Sequence, residues 1–403
     1  MPERGEELTV WIMTMGPGEY VWERFGHNAI RVQDRQRGTD ISYNWGMFSF
    51  QQEDFILRFV RGHMDYWMEG FDSDLTAQAY VQSDRSVWLQ ELNLTPAQKA
   101  DLRDYLEWNS LPENRVYRYD YYRDNCSTRV RDAIDRVLGG QIRVQTENIP
   151  SGTTYRSHTR ELTANLPVVY TGLMAGLGQP VDREISVYEE MFLPLAMLER
   201  IREVTVTDAT GALVPLIASE EIVYAAANEA AGAAPGIIVY LILGLLIGGV
   251  LVAAAKASRR RVGRALFGTL GGTWALVAGL LGMVLLGIWL FTDHATSYRN
   301  ENLFFLSPLL LPMVVLLPVA ARRRARWRLP ALRLALVIAV ISLVGLVAQL
   351  LPMLNQTNGE IIALALPINV AIAFGLWEMS RTAAPYVPED TPTKRKVVQG
   401  AAR

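Results

Sequence analysis

The chain has 403 residues and a formal net charge of −2, long enough for more than one domain. That near-neutral sum hides a split, with a net charge of −13 over residues 1–235 and +11 over residues 236–403. The basic residues of the second half cluster between apolar runs, without groove-reading context, which argues against a nucleic-acid partner, and a single cysteine excludes an internal disulfide.

In chain order, residues 8–15 read as a strand, followed by a turn at Gly16-Pro17-Gly18. That turn is not a phosphate loop, because no Lys-Ser/Thr follows it. Residues 27–32 and 41–45 read as strands of a hairpin around a polar loop containing Gly38. Residues 54–59, 75–83 and 96–108 read as helices. The last has Thr95 as N-cap, Pro96 at its first position and Gln98 at its third. Residues 87–94 and 116–121 read as strands, the second with Tyr117, Tyr119 and Tyr121 on one face. A helix with Val130, Ala133, Ile134, Val137 and Leu138 at helical spacing follows Asn125 and closes at Gly139-Gly140. Residues 140–170 read as loop-rich. Residues 188–202 read as one helix with Met191, Leu195 and Leu198 on one side; it could roof a lipid or simply pack in a core. Residues 204–207 and 212–217 make a hairpin across Asp208-Ala209-Thr210-Gly211. Residues 218–235 are Ala-rich and lead into the second half.

The second half holds apolar runs at residues 236–255, 265–291, 303–321, 334–354 and 361–377. A hydrocarbon core takes about 20 residues of helix, so about five spans are expected. Pro308, Pro312 and Pro318 interrupt the third, and Pro367 lies in the fifth. Residues 256–264 and 322–328 carry five basic residues each, and Lys394, Arg395 and Lys396 follow in the tail. Basic loops stay in the cytoplasm. The expected layout is an outer domain over residues 1–222, a linker over 223–235, a transmembrane domain over 236–380 and a cytoplasmic tail over 381–403. In a bacterium the outer domain would be periplasmic. Residues 1–20 hold no apolar core of signal-peptide length, so either the natural start lies upstream or the first span translocates its own N-terminal side.

Cys126 is the one residue that could carry covalent chemistry. With Asn125 as N-cap it falls in the first turn of its helix, where exposed N–H groups and the helix dipole stabilise a thiolate. The alternative is a buried thiol acting as a small hydrophobe. A cysteine nucleophile needs a base. His27 opens a strand in Phe25-Gly26-His27-Asn28, a setting that His63 and His158 lack. Asn44, on the paired strand, is the best candidate to orient its imidazole, with Tyr43 and Asp120 as runners-up. The oxyanion would be held by N–H groups at the cysteine helix, beginning with that of Cys126. Four scattered histidines and one cysteine give poor support for a metal site, and no cofactor is expected.

Thr14-Met15-Gly16-Pro17-Gly18, Phe25-Gly26-His27-Asn28, Tyr43-Asn44-Trp45-Gly46, Asp124-Asn125-Cys126-Ser127-Thr128 and Tyr188-Glu189-Glu190-Met191-Phe192-Leu193-Pro194 together resemble the Lnb N-terminal periplasmic domain. The second half is similar to the membrane domain that follows it, with Asp293-His294 and Asn300-Glu301-Asn302 in the matching outer loop. The resemblance implies an α+β, circularly permuted papain-like fold akin to NlpC-type peptidases and lecithin:retinol acyltransferase, followed by a five-helix transmembrane domain. It implies lipoprotein N-acylation at the bacterial inner membrane: an acyl chain passes from a phospholipid to the amine of a diacylglyceryl-cysteine. On that resemblance Cys126 is the nucleophile and His27 the base. Asn125, Tyr43, Asp120 and His294 are candidates for substrate contact or support, His294 for a head group or the lipoprotein amine. A membrane-tethered Cys–His hydrolase of peptidoglycan peptides or lipid esters, and a non-enzymatic anchor, remain open as alternatives.

Overall fold

The computed structural model describes residues 3–52, 54–227, 234–322 and 327–381. It divides into two compact units. One comprises Met1–Tyr240, Met283–Leu303 and Val347–Ile361; the other comprises Leu241–Gly282, Phe304–Leu346 and Ile362–Arg403.

The first unit is mixed α/β. Its elements run β1 (Leu8–Met15), β2 (His27–Asp34), β3 (Thr39–Met47), α1 (Phe55–Arg61), β4 (Asp65–Asp72), α2 (Ser73–Gln82), β5 (Val87–Leu92), α3 (Pro96–Ser110), β6 (Val116–Arg118) and α4 (Cys126–Val137). Then follow α5 (Gln141–Thr146), β7 (Pro150–Thr154), α6 (Tyr155–Thr163), α7 (Pro167–Gly176), β8 (Glu184–Ser186), α8 (Val187–Glu190), α9 (Pro194–Arg200), β9 (Thr205–Thr207), β10 (Leu213–Pro215) and β11 (Ile217–Tyr224). The central sheet is seven-stranded in the order β11-β5-β1-β2-β3-β4-β6, and each pairing is antiparallel.

Alternation along the strands sends neighbouring side chains to opposite faces. Ile12, Ile30, Tyr43 and Trp45 pack on one face against Leu102 and Leu106 of α3 and Val130 and Ile134 of α4. Met13, Met15 and Ala29 pack on the other face beside Ala77 and Tyr80 of α2. Trp45 is fully buried, and its indole N–H donates to Asn109 Oδ1 at 2.9 Å.

Three sequence expectations need correction. Residues 140–170 are ordered: β7 lies between α5 and α6, and α7 follows. Thr154 caps α6 by accepting from the Ser157 N–H. The helix expected over residues 188–202 is two short helices, α8 and α9, because Pro194 cannot continue the first and instead starts the second. Met191, Met197 and Leu198 are buried, so this segment is core and roofs nothing. The boundary at residue 222 falls inside β11, which pairs with β5 through Tyr224. Residues 228–233 of the expected linker, residues 323–326 of the basic loop and the tail from residue 382 lie outside the described residues.

The apolar helices are α10 (Ile237–Lys256), α11 (Arg261–Phe291), α12 (Met313–Ala321), α13 (Arg328–Ala348) and α14 (Gly359–Arg381). Among the described residues α10, α11, α13 and α14 are each long and apolar enough to cross a membrane. A fifth span exists only if Glu301–Leu310 and Met313–Ala321, bent by 56°, count as one. The prolines of this third run set the bend, and Pro308 and Pro312 lie at it. Within the second unit Asn369 ties three elements together. Its Oδ1 accepts from the Trp274 indole at 3.0 Å, and its Nδ2 donates to Phe305 O and Ser342 Oγ at 3.0 and 3.1 Å. Such polar contacts hold helices together where no hydrophobic force separates protein from lipid.

Candidate active site

α4 begins as its sequence dictates. Asn125 Oδ1 accepts from the Thr128 N–H at 3.0 Å, and Thr128 Oγ1 accepts from the Asn125 N–H at 2.8 Å. The Asn125 amide also donates to the carbonyls of Tyr121 and Phe192, both at 3.0 Å. Asn125 is therefore a support residue that fixes the start of α4. Asn125→Ala should cost about 2–4 kcal/mol, combining a lost cap with two stranded carbonyls. Thermal unfolding of the full chain in detergent checks this.

Cys126 is the first residue of α4 and is half-buried. The backbone N–H groups of Asn28, Ser127 and Cys126 are directed at its sulfur. Asn28 locks β2 to α4, since its Nδ2 donates to Ser127 Oγ at 2.9 Å and that hydroxyl donates to Met191 O at 2.6 Å. Gly46 of β3 has φ +91°, and a Cβ built on it would lie 3.5 Å from the Cys126 Cβ. A larger residue there would both strain the backbone and fill the space before the thiol.

His27 opens β2, one residue before the Asn28 N–H that faces the sulfur. Its Nε2–H donates to Asn44 Oδ1 at 3.1 Å. The orientation of Asn44 follows from its other bond, because its Nδ2 donates to Ser42 O at 2.9 Å. Oδ1 must then face the imidazole, Nε2 must carry the proton, and Nδ1 is left as the basic nitrogen.

Electrostatics favour neutral partners. Burial pushes the Cys126 thiol up, against the pull of the three N–H groups and of Arg85. Burial lowers His27 to about 4; its Asn44 bond opposes this, and Arg85 adds to it. Both directions favour the uncharged forms, a thiol at Cys126 and a neutral imidazole at His27, so of the two states open for Cys126 burial favours the thiol. A neutral His27 would be free to accept a proton as the sulfur attacks. kcat/KM should accordingly hold from neutrality down to an acid limb near pH 4, below which His27 protonates. Iodoacetamide alkylation of Cys126 should keep rising beyond pH 9. A pH–rate profile and an alkylation series check both.

The other candidates separate cleanly. Tyr43 is buried on the opposite sheet face from His27, and burial pushes its hydroxyl up to about 12. Asp120 Oδ1 caps its own turn by accepting from the N–H groups of Tyr122 and Arg123 at 3.0 and 2.9 Å. His294 Nε2–H donates to Phe59 O at 2.9 Å, and His63 pairs with Asp293 at 2.8 Å. His158 pairs with Glu190 at 3.1 Å.

Sequence reasoning missed Tyr80 and Arg85. The Tyr80 ring stacks on His27 with centroids 6.2 Å apart, and the Arg85 guanidinium sits 4.5 Å over Tyr80. Arg85 Nε also donates to Gly16 O at 2.9 Å. Tyr80 lies in the last turn of α2 and Arg85 precedes β5, and no local pattern announces that their surroundings include the thiol.

A His27–Asn44 pair on an antiparallel sheet and a cysteine at a helix start, linked through Asn28, in one chain with four or five apolar helices, define a membrane-integral protein with a candidate thiol site. The chain belongs to the Lnb family: the Lnb N-terminal periplasmic domain matches residues 4–161 and the Lnb transmembrane domain matches residues 228–380. No curated protein and no solved structure matches the chain.

Proposed function

We propose that this chain is a thiol-dependent N-acyltransferase of bacterial lipoproteins at the inner membrane, with its C-terminus in the cytoplasm. The observation that carries the reading is that the Asn28 N–H is directed at Cys126 one residue after His27, whose imidazole bonds Asn44, in a chain of the Lnb family. The order His27, Asn44, Cys126 and the placing of the cysteine at a helix start support a permuted papain-like domain.

Cys126 Sγ attacks the ester carbonyl of a phospholipid while its proton passes to His27 Nδ1. The N–H groups of Asn28, Cys126 and Ser127 are near enough to the sulfur to donate to the developing oxyanion. The C–O bond breaks, and His27 returns the proton to the lysophospholipid oxygen. In the second step the amine of a diacylglyceryl-cysteine attacks the thioester. His27 takes a proton from that nitrogen, the C–S bond breaks, and the sulfur leaves as the reprotonated thiol. No cofactor enters either step.

Complementation of cells lacking their own lipoprotein N-acyltransferase tests this, with mass spectrometry of a reporter lipoprotein. A third acyl chain on the reporter is expected. A reporter left with two chains under well-expressed protein would contradict transfer and favour hydrolysis.

A further inference from the structure

β3 carries Asn44 and Gly46 past the thiol, and the chain then runs through Phe48 and Phe50 into α1. Phe50, Leu57, Phe59 and Val60 are 68, 48, 41 and 53 % exposed. Large apolar side chains exposed together mark an interaction surface.

Chain continuity says what covers them. α11 stays apolar to its last residue, Phe291, and carries Trp289 near that end; tryptophan is favoured where a span meets water. Asp293 follows within about 7 Å of extended chain. Its N–H donates to Arg61 O at 2.9 Å, and its carboxylate accepts from His63 and Arg118 at 2.8 and 3.0 Å. His294 bonds the Phe59 carbonyl, as above. Gly62, with φ +80°, permits this approach, since a Cβ there would lie 3.0 Å from the Asp293 carbonyl carbon. These residues belong to one compact unit. α1 is therefore pinned where a membrane span ends, and its exposed Arg61 suits anionic head groups.

A row of rings leads from this surface to the thiol. Phe59 meets Phe55 at 6.1 Å between centroids, Phe55 meets Phe48 at 6.3 Å, Phe48 meets Tyr66 at 5.1 Å and Tyr66 meets Tyr119 at 4.3 Å. Tyr119 adjoins the backbone bridge that leads into Cys126, in which the Asp120 N–H donates to Asp124 O at 3.0 Å; burial raises the Tyr119 hydroxyl well above the usual range, and the sulfur adds to this.

We infer that Phe50, Leu57, Phe59 and Val60 are seated in the outer leaflet of the bilayer and that the ring row from Phe59 to Tyr119 is the wall along which a phospholipid acyl chain reaches Cys126. The acyl path rests on the transferase reading, whereas the membrane seat does not. Because Cys126 is the sole cysteine, Leu57→Cys in a Cys126→Ala background takes one environment-sensitive fluorophore. The full chain is placed in nanodiscs of phosphatidylethanolamine and phosphatidylglycerol, with or without bromine on the acyl chains. Quenching of about two-fold or more by the brominated lipid is expected for a label at the acyl boundary. An unquenched label overturns the seat, whether its emission is that of water or is blue-shifted by a second copy or another protein. For the path, Leu57→Ser with Val60→Ser should slow acylation of Cys126 by bilayer phospholipid about ten-fold or more while its iodoacetamide alkylation stays unchanged. Unchanged acylation in that variant overturns the path. Quenching in the labelled variant together with a wild-type chain that never acylates keeps the seat and overturns both the path and the transferase reading.

Discussion

On the proposed thiol mechanism, Cys126→Ala should abolish acyl transfer, with the rate falling by about four orders of magnitude to background. The loss is this large because the substitution removes the atom that breaks the ester bond. The fold should survive it, since the start of α4 is held by Asn125 and Thr128 and by the bond from Asn28 to Ser127, none of which involves the sulfur. Unchanged thermal unfolding beside absent turnover is the expected pair of results, read by differential scanning and a reporter acylation assay. Cys126→Ser should fare no better, because an alcohol beside a neutral imidazole of low basicity is a far weaker nucleophile than a thiol.

His27→Gln lowers kcat by about 10²- to 10⁴-fold, the usual span for a lost general base. Glutamine keeps a polar group near Asn44 but offers no basic nitrogen. The acid limb near pH 4 should vanish with the imidazole, whereas a merely structural histidine would leave that limb in place. The double variant Cys126→Ala with His27→Gln should be no slower than Cys126→Ala alone, because the two groups act in the same proton transfer. Single-turnover kinetics across pH 4–9 measure both effects. His27→Gln with near wild-type turnover would remove the imidazole from the chemistry.

The parts of the site that lie in local sequence were legible. Asn125 announced a helix start that placed Cys126 in its first turn, and the hairpin around Gly38 paired the strands of His27 and Asn44. What failed depended on tertiary context. Residues 140–170 read as loop-rich after Gly139-Gly140, yet α5, β7 and α6 form there as short pieces, with Thr154 capping α6. β11 was hidden because it is an edge strand whose exposed stretch Ala218-Ser219-Glu220-Glu221 carries no alternating apolar signal. The choice between the two states left open for Cys126 also depends on tertiary context. A helix start alone favours the thiolate, but burial outweighs it. Tyr80 and Arg85 reach the site only because α2 covers the sheet face that His27 shares.

The most direct test of the thiol mechanism is intact-mass spectrometry of the full chain after incubation with a defined phospholipid in the absence of any amine acceptor. The account predicts a mass increase of one acyl group on Cys126, accumulating because the second step has no substrate, labile to hydroxylamine and absent from Cys126→Ala. Transfer to an added lipoprotein with no such adduct, or with an adduct that persists in Cys126→Ala, would contradict it.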